Sequence, residues 1–183
     1  MNVFQTILIL AFAFLAAFGE ATLAAPRQWL GAQVDLLPAL MVYASLSSGM
    51  VTITLLAVLG GLWFDALSSN PLGVTMLPLL LVGLAIHQQR GLVLREQLFA
   101  QWLFGLAASA AAPLLTLLLL LSIRQTPALS WAFLWQWVVM SLGGGILTPV
   151  CFRIFDRLGR SLNYRPVLET SFRPDREIRR GRS

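Results

Sequence analysis

Residues 60–73 read GGLWFDALSSNPLG, and the fold turns on how this stretch is read. An apolar run of helical length ends in it, and a second leaves it with no charge before Arg90. Asp65 therefore puts a carboxylate beside or inside the boundary of an apolar layer, a costly placement that needs a structural or functional reason. The local chemistry predicts a helix–loop–helix joint. Asn70 can cap the next helix with its side-chain oxygen, and Pro71 suits the first helical position, where no backbone donor is missed. Gly73 would then let another backbone or a bulky side chain approach closely.

The rest of the chain agrees with a membrane setting. It has 183 residues, 57% hydrophobic and 11% charged, and a mean hydropathy of +0.76. Globular chains carry about 25% charged residues, so this composition excludes an ordinary soluble globule. Long uncharged runs recur, which is the signal of membrane spans. All 13 basic residues are Arg. From Arg153 onward nine Arg face four acids, so the tail carries the whole net charge of +5. Such a distribution reads as a cytoplasmic anchor and not as a nucleic-acid-binding domain. The single Cys151 rules out an intrachain disulfide and reads as a small buried apolar residue.

Six apolar runs are predicted. The first, 3–19, resembles a secretion signal in length, but no Lys or Arg precedes it and Pro26 follows the best small-residue site, so it reads as a retained helix. Residues 34–47 and 50–66 are separated by Ser47-Ser48-Gly49. One helix through both would be about 50 Å long, too long for an untilted span, so two helices and a tight turn are predicted, the first of them short for a full crossing. The fourth run, 71–88, ends in His87; the fifth is 98–123 and the sixth 130–152. Residues 152–164 (FRIFDRLGRSLNY) read as a helix leaving the membrane along its surface, with disorder beyond. The predicted division is a six-helix membrane domain at 1–152 and a basic cytoplasmic tail at 153–183. Arg153, Arg157 and Arg160 are the candidate membrane-surface residues, facing anionic lipid.

Six spans put both termini on one side. If that side is the cytoplasm, eleven Arg lie inside, while Arg27 and Arg124 alone lie outside. This split predicts that the Asp65 joint faces outward, with Trp29, Trp63, Trp131 and Trp135 near the outer interface.

Gly61, Asp65, Leu67, Ser68, Leu72 and Gly73, with Pro71 between them, resemble the signature of the MreD family of rod shape-determining membrane proteins. That signature runs roughly G-L-x-x-D-x-L-S-x-x-x-L-G between two membrane helices. The Asp35-Leu36-Leu37-Pro38 start of an earlier helix, the hydropathy and the basic end extend the resemblance over about residues 1–163. It implies an all-α polytopic bundle similar to the substrate-binding components of energy-coupling-factor transporters. It also implies a non-enzymatic scaffold of the bacterial rod complex in the inner membrane, supporting cell shape and lateral peptidoglycan synthesis. The implied partners are an MreC-like protein and, through it, the MreB system and a RodA-type glycosyltransferase with its penicillin-binding transpeptidase.

Other candidate sites read more plainly. Asp65 is either a local cap, taking backbone donors near Leu67 or Ser68, or an interface residue pairing with Arg27, Arg124 or a partner. His87 lies at a helix end that favours a cation and reads as interfacial, not metal-binding. No nucleophile with a base and no phosphate-cradling loop is present, and no cofactor or nucleic acid is expected. Small residues four apart (Ala13/Ala17, Ala57/Gly61, Ala107/Ala111, Ala108/Ala112, Ser141/Gly145) predict close helix packing, inside the bundle or against a partner. The alternative function is the substrate-binding component of an energy-coupling-factor vitamin transporter. It needs a pocket with convergent polar groups, whereas Gln101, Thr116, Gln136 and Ser141 are scattered along the sequence.

Overall fold

The computed structural model describes residues 3–22, 33–68, 71–90, 97–122 and 131–162, with side chains up to residue 159. Each apolar run forms a helix: α1 Val3–Thr22, α2 Leu37–Ser47, α3 Met50–Leu67, α4 Met76–Gln89, α5 Leu98–Ser122 and α6 Trp131–Leu162. No strand occurs among the described residues. Four of the helices (α1, α3, α5 and the 131–159 part of α6) are long and apolar enough to cross a membrane; α2 and α4 are shorter.

α2 is the axis of the bundle. Every residue from Leu37 to Ser45 is buried, as expected of a helix apolar on all sides. Eleven residues rise only about 17 Å, so its ends lie within the bundle and their free backbone groups need partners. At the start, Glu20 of α1 accepts the Leu36 amide at 2.7 Å and Asp35 accepts the Leu37 amide at 2.8 Å. At the far end, His87 Nδ1 of α4 lies 2.9 Å from the Ser45 carbonyl oxygen. A carbonyl only accepts, so this nitrogen carries the proton. Acids at the N-terminus and an N–H donor at the C-terminus suit the helix dipole. His87 is thus a buried tie between α2 and α4, at 9% exposure.

Two further differences from the sequence reading have clear causes. Residues 152–162 do not leave as a separate surface helix; α6 runs straight through them. Phe152 and Phe155 are core residues, set against Tyr43 at ring distances of 5.0 and 4.6 Å, and Phe155 also meets Phe12 at 5.2 Å. The first turns after residue 152 therefore pack with the bundle. Within α3, Leu56–Gly60 form a π-helical turn, which inserts a residue and re-aims the face that follows.

α5 and α6 share the most extensive helix contact. A Cβ on Gly144 would lie 1.7 Å from Ser109 Oγ, and one on Gly105 would lie 2.7 Å from the Gly144 carbonyl oxygen. Gly105/Ser109 and Gly144/Thr148 form the actual seam, four residues apart on each helix, where small side chains let backbones close. Of the small pairs read from the sequence, Ala13/Ala17, Ala57/Gly61, Ala108/Ala112 and Ser141/Gly145 are buried inside the bundle, and Ala107/Ala111 is not. Large apolar side chains instead cover the outside: Phe4, Ile7, Leu15 and Phe18 on α1, Phe99 and Leu118 on α5, Ile146 on α6. A soluble surface would not carry apolar area on this scale; a lipid-facing one does.

Candidate functional site

Asp65 lies in the last turn of α3 and is 1% exposed. Its Oδ2 accepts the Gly73 amide at 2.8 Å and the Thr75 amide at 3.1 Å, while Oδ1 accepts the Thr75 hydroxyl in a short hydrogen bond. One carboxylate therefore gathers three donors from the loop between α3 and α4. This is a cap, but its donors lie eight and ten residues on, not near Leu67 or Ser68. Ser68 instead closes α3, donating its amide to the Phe64 carbonyl at 3.0 Å. Charge-assisted bonds of this kind are roughly twice as strong as neutral ones, which offsets the burial of the carboxylate.

That arrangement also corrects the expected helix start. α4 begins at Met76 with Thr75 before it, so Pro71 is an exposed loop residue and not the first helical position; Asn70 lies outside the described residues. The amides of Gly73 and Thr75 point at Asp65, and the chain turns helical only after they are held. Gly73 adopts φ +90°, a left-handed conformation that favours glycine. A Cβ there would meet only Met76 Sδ at 3.7 Å, so its role is the turn, not close approach. Close approach belongs to Gly61, where a Cβ would lie 2.9 Å from Met76 Cα. Gly61 and Asp65 thus fix the two ends of one contact between α3 and α4. Leu67 and Leu72 face outward from this joint, with Leu72 70% exposed.

Beside the joint lies a cavity of about 240 Å³. Phe64 and Thr75 come from the joint, Gln33 and Asp35 from the lead-in to α2, Thr116 from α5 and Gln136 from α6. The Gln136 side chain clasps the Gln33 backbone, accepting its amide at 3.0 Å and donating to its carbonyl at 2.8 Å. Pro113 of α5 also lines the cavity. It removes one backbone donor from the helix, and in the same region Trp137 of α6 donates its indole N–H to the Ala110 carbonyl at 2.9 Å. Of the four polar residues expected to be scattered, Thr116 and Gln136 meet here; Gln101 and Ser141 do not line this cavity. Asp35, quoted in the sequence only as the start of a helix, is 7% exposed and part of the wall. Its contribution was hidden because the partners that surround it are remote in sequence.

Arg153 and Arg157 are exposed on the C-terminal part of α6, away from the joint and the cavity; the side chain of Arg160 lies outside what is described. Cys151 is buried, as expected. Among the described residues no group of three or more His, Cys, Asp or Glu could hold a metal ion.

These features define a class, an all-helical bundle with four helices suited to crossing a membrane. No family model matches the chain, and neither do any curated protein or solved structure.

Proposed function

We propose that this protein is a non-enzymatic membrane scaffold of the bacterial rod complex, of the MreD type, supporting cell shape and lateral peptidoglycan synthesis. It sits in the inner membrane with both termini cytoplasmic, crosses it with up to six helices, and docks an MreC-like single-span protein. Through that protein it reaches the MreB system and a RodA-type glycosyltransferase with its penicillin-binding transpeptidase. The observation that carries this reading is the use made of the signature residues. Asp65 has its oxygens engaged by Gly73 and Thr75, and Gly61 by backbone contact with Met76. The signature therefore supports a rigid joint that holds Leu67 and Leu72 outward, and a rigid apolar projection is suited to docking, because little side-chain and loop order is lost on binding.

The test is purification in mild detergent from cells at native expression. An MreC-like protein should co-purify, in a contact that tolerates salt because lipid-phase packing holds it. Leu72→Asp should reduce its recovery at least tenfold while the variant keeps its own melting temperature. Recovery without the partner, or full recovery with Leu72→Asp, would count against the joint as a docking surface.

A second reading, the substrate-binding component of an energy-coupling-factor vitamin transporter, is favoured by one observation, the cavity with convergent polar groups. A vitamin that stabilises the purified protein at micromolar concentration, with no co-purifying partner, would replace the scaffold reading by this one.

A further inference from the structure

The cavity beside the joint has a chemical bias that neither functional reading requires. Its hydroxyls already have their protons directed elsewhere: Thr75 donates to Asp65, and Thr116 donates to the Ala112 carbonyl at 3.0 Å. Each keeps oxygen lone pairs, so each can only accept from a ligand. Gln136 is held in its clasp with the Gln33 backbone. Asp35 uses Oδ1 for the Leu37 amide, and among the described residues no donor reaches Oδ2 and no Arg pairs with the carboxylate. The remaining donors are the second amide hydrogen of Gln136 and the side-chain amide of Gln33. Acceptors thus dominate, around a carboxylate more than nine-tenths buried.

The rest of the lining is mostly apolar, with Phe64, Leu117, Leu120, Phe133 and Met140 among its residues. Aromatic faces attract a cation within about 6 Å of the ring centroid. A buried carboxylate without a counter-charge is costly, and an arriving cation with N–H donors offsets that cost. The volume of about 240 Å³ is slightly below the ~300–1,000 Å³ of most ligand pockets. It holds about eight water molecules, which suits a body of about that many non-hydrogen atoms.

We propose that this cavity binds a small organic cation, an ammonium group on an apolar body, with Asp35 as its counter-ion, Thr75 and Thr116 as further acceptors and Phe64 and Phe133 beside the charge. The ammonium belongs either to a free amine or to the head group of an aminophospholipid, and both present the same chemistry to Asp35. The proposal holds whether the bundle docks partners or delivers a substrate.

The experiment compares three probes of one shape, benzylamine, benzyl alcohol and benzoate, by thermal shift and calorimetry on the full chain in detergent. Benzylamine should bind at least tenfold more tightly than the other two, and Asp35→Asn should abolish that preference. Asn keeps the Oδ1 acceptor for the Leu37 amide, so the variant is expected to fold. If it does not, Thr116→Val and the cavity-filling Leu120→Trp take its place; the first should weaken benzylamine binding and the second should remove it. In parallel, native mass spectrometry after reconstitution with phosphatidylethanolamine or phosphatidylglycerol separates the two sources. Retention of the ethanolamine lipid by the wild type but not by the folded variant assigns the site to a lipid head group. Benzylamine binding without lipid retention assigns it to a free amine. Equal affinity for amine and alcohol, or an amine preference that survives Asp35→Asn or Leu120→Trp, overturns the proposal. None of these outcomes depends on partner recovery, so failure here leaves the scaffold reading standing, and the reverse.

Discussion

Replacing Asp65 separates a structural lock from an interface residue. In Asp65→Ala three donors lose their acceptor together: the amides of Gly73 and Thr75 and the Thr75 hydroxyl. Gly73 is only partly buried, so its amide regains a water molecule at little cost. Thr75 is 6% exposed, and each unsatisfied buried group costs about 1–3 kcal/mol. The two groups on Thr75 therefore set the expected loss at about 2–4 kcal/mol, since the hydroxyl can rotate towards another acceptor. For a chain of this size that corresponds to a fall of about 4–16 °C in melting temperature. Asp65→Asn should be milder. Its amide oxygen can take the place of Oδ2 and accept both backbone amides, while its NH2 faces a Thr75 hydroxyl that is able to accept. The charge assistance is lost and the Thr75 hydroxyl must turn its proton elsewhere, together about 1–2 kcal/mol. The assay is thermal unfolding of the purified variants in one detergent, followed by tryptophan fluorescence. If Asp65→Ala melted within about 2 °C of the wild type, or Asn were as damaging as Ala, the lock would be wrong. If Asp65 acted chiefly at an interface, the isolated variants would melt normally and lose only partner recovery.

Two other predictions are independent of that result. Gly144→Ala should destabilise by about 1–3 kcal/mol through overpacking, because its Cβ would collide with Ser109 Oγ at 1.7 Å. The neighbouring Gly145→Ala, with 3.1 Å to Trp102 Nε1, should be close to neutral, since better helix propensity offsets the contact; equal unfolding temperatures would refute the seam. For orientation, single cysteines in a Cys151→Ala background should divide by side. Leu72→Cys should react with an impermeant thiol reagent in intact cells and Arg157→Cys only after permeabilisation, and labelling of Arg157→Cys in intact cells would invert the topology.

Hydropathy alone placed the helices well, because a membrane-type helix is apolar wherever it sits, facing lipid or core. For the same reason hydropathy could not say that α2 is buried on every side while α1 faces outward along Phe4, Ile7, Leu15 and Phe18. The turn at Ser47-Ser48-Gly49 was legible because the combined length exceeded a span. The start of α4 was not. Local rules gave Asn70 and Pro71 the helix boundary, but Asp65 draws the amides of Gly73 and Thr75 to itself and delays the helix to Met76. A tertiary acceptor outcompeted a local cap. His87 does lie in the last turn of α4, as read, but its partner at Ser45, 42 residues away, could not be read from that position.

The cavity was the least legible feature, and the cause is physical. Its polar residues are Gln33, Asp35, Thr75, Thr116 and Gln136; apart from the neighbouring Gln33 and Asp35 each stands alone among apolar residues, with no motif to mark them. Tertiary structure brings them to one place: the α5–α6 seam closes two long helices, the Asp65 lock fixes Thr75, and the Gln136 clasp holds the Gln33 end of the lead-in to α2. The signature stretch and the cavity are therefore not independent. Thr75 donates its hydroxyl proton to Asp65 and also lines the cavity, so a change at Asp65 frees that proton in a residue of the cavity wall. The joint that holds Leu67 and Leu72 outward thus shares Thr75 with the space within, and the two surfaces meet in one threonine.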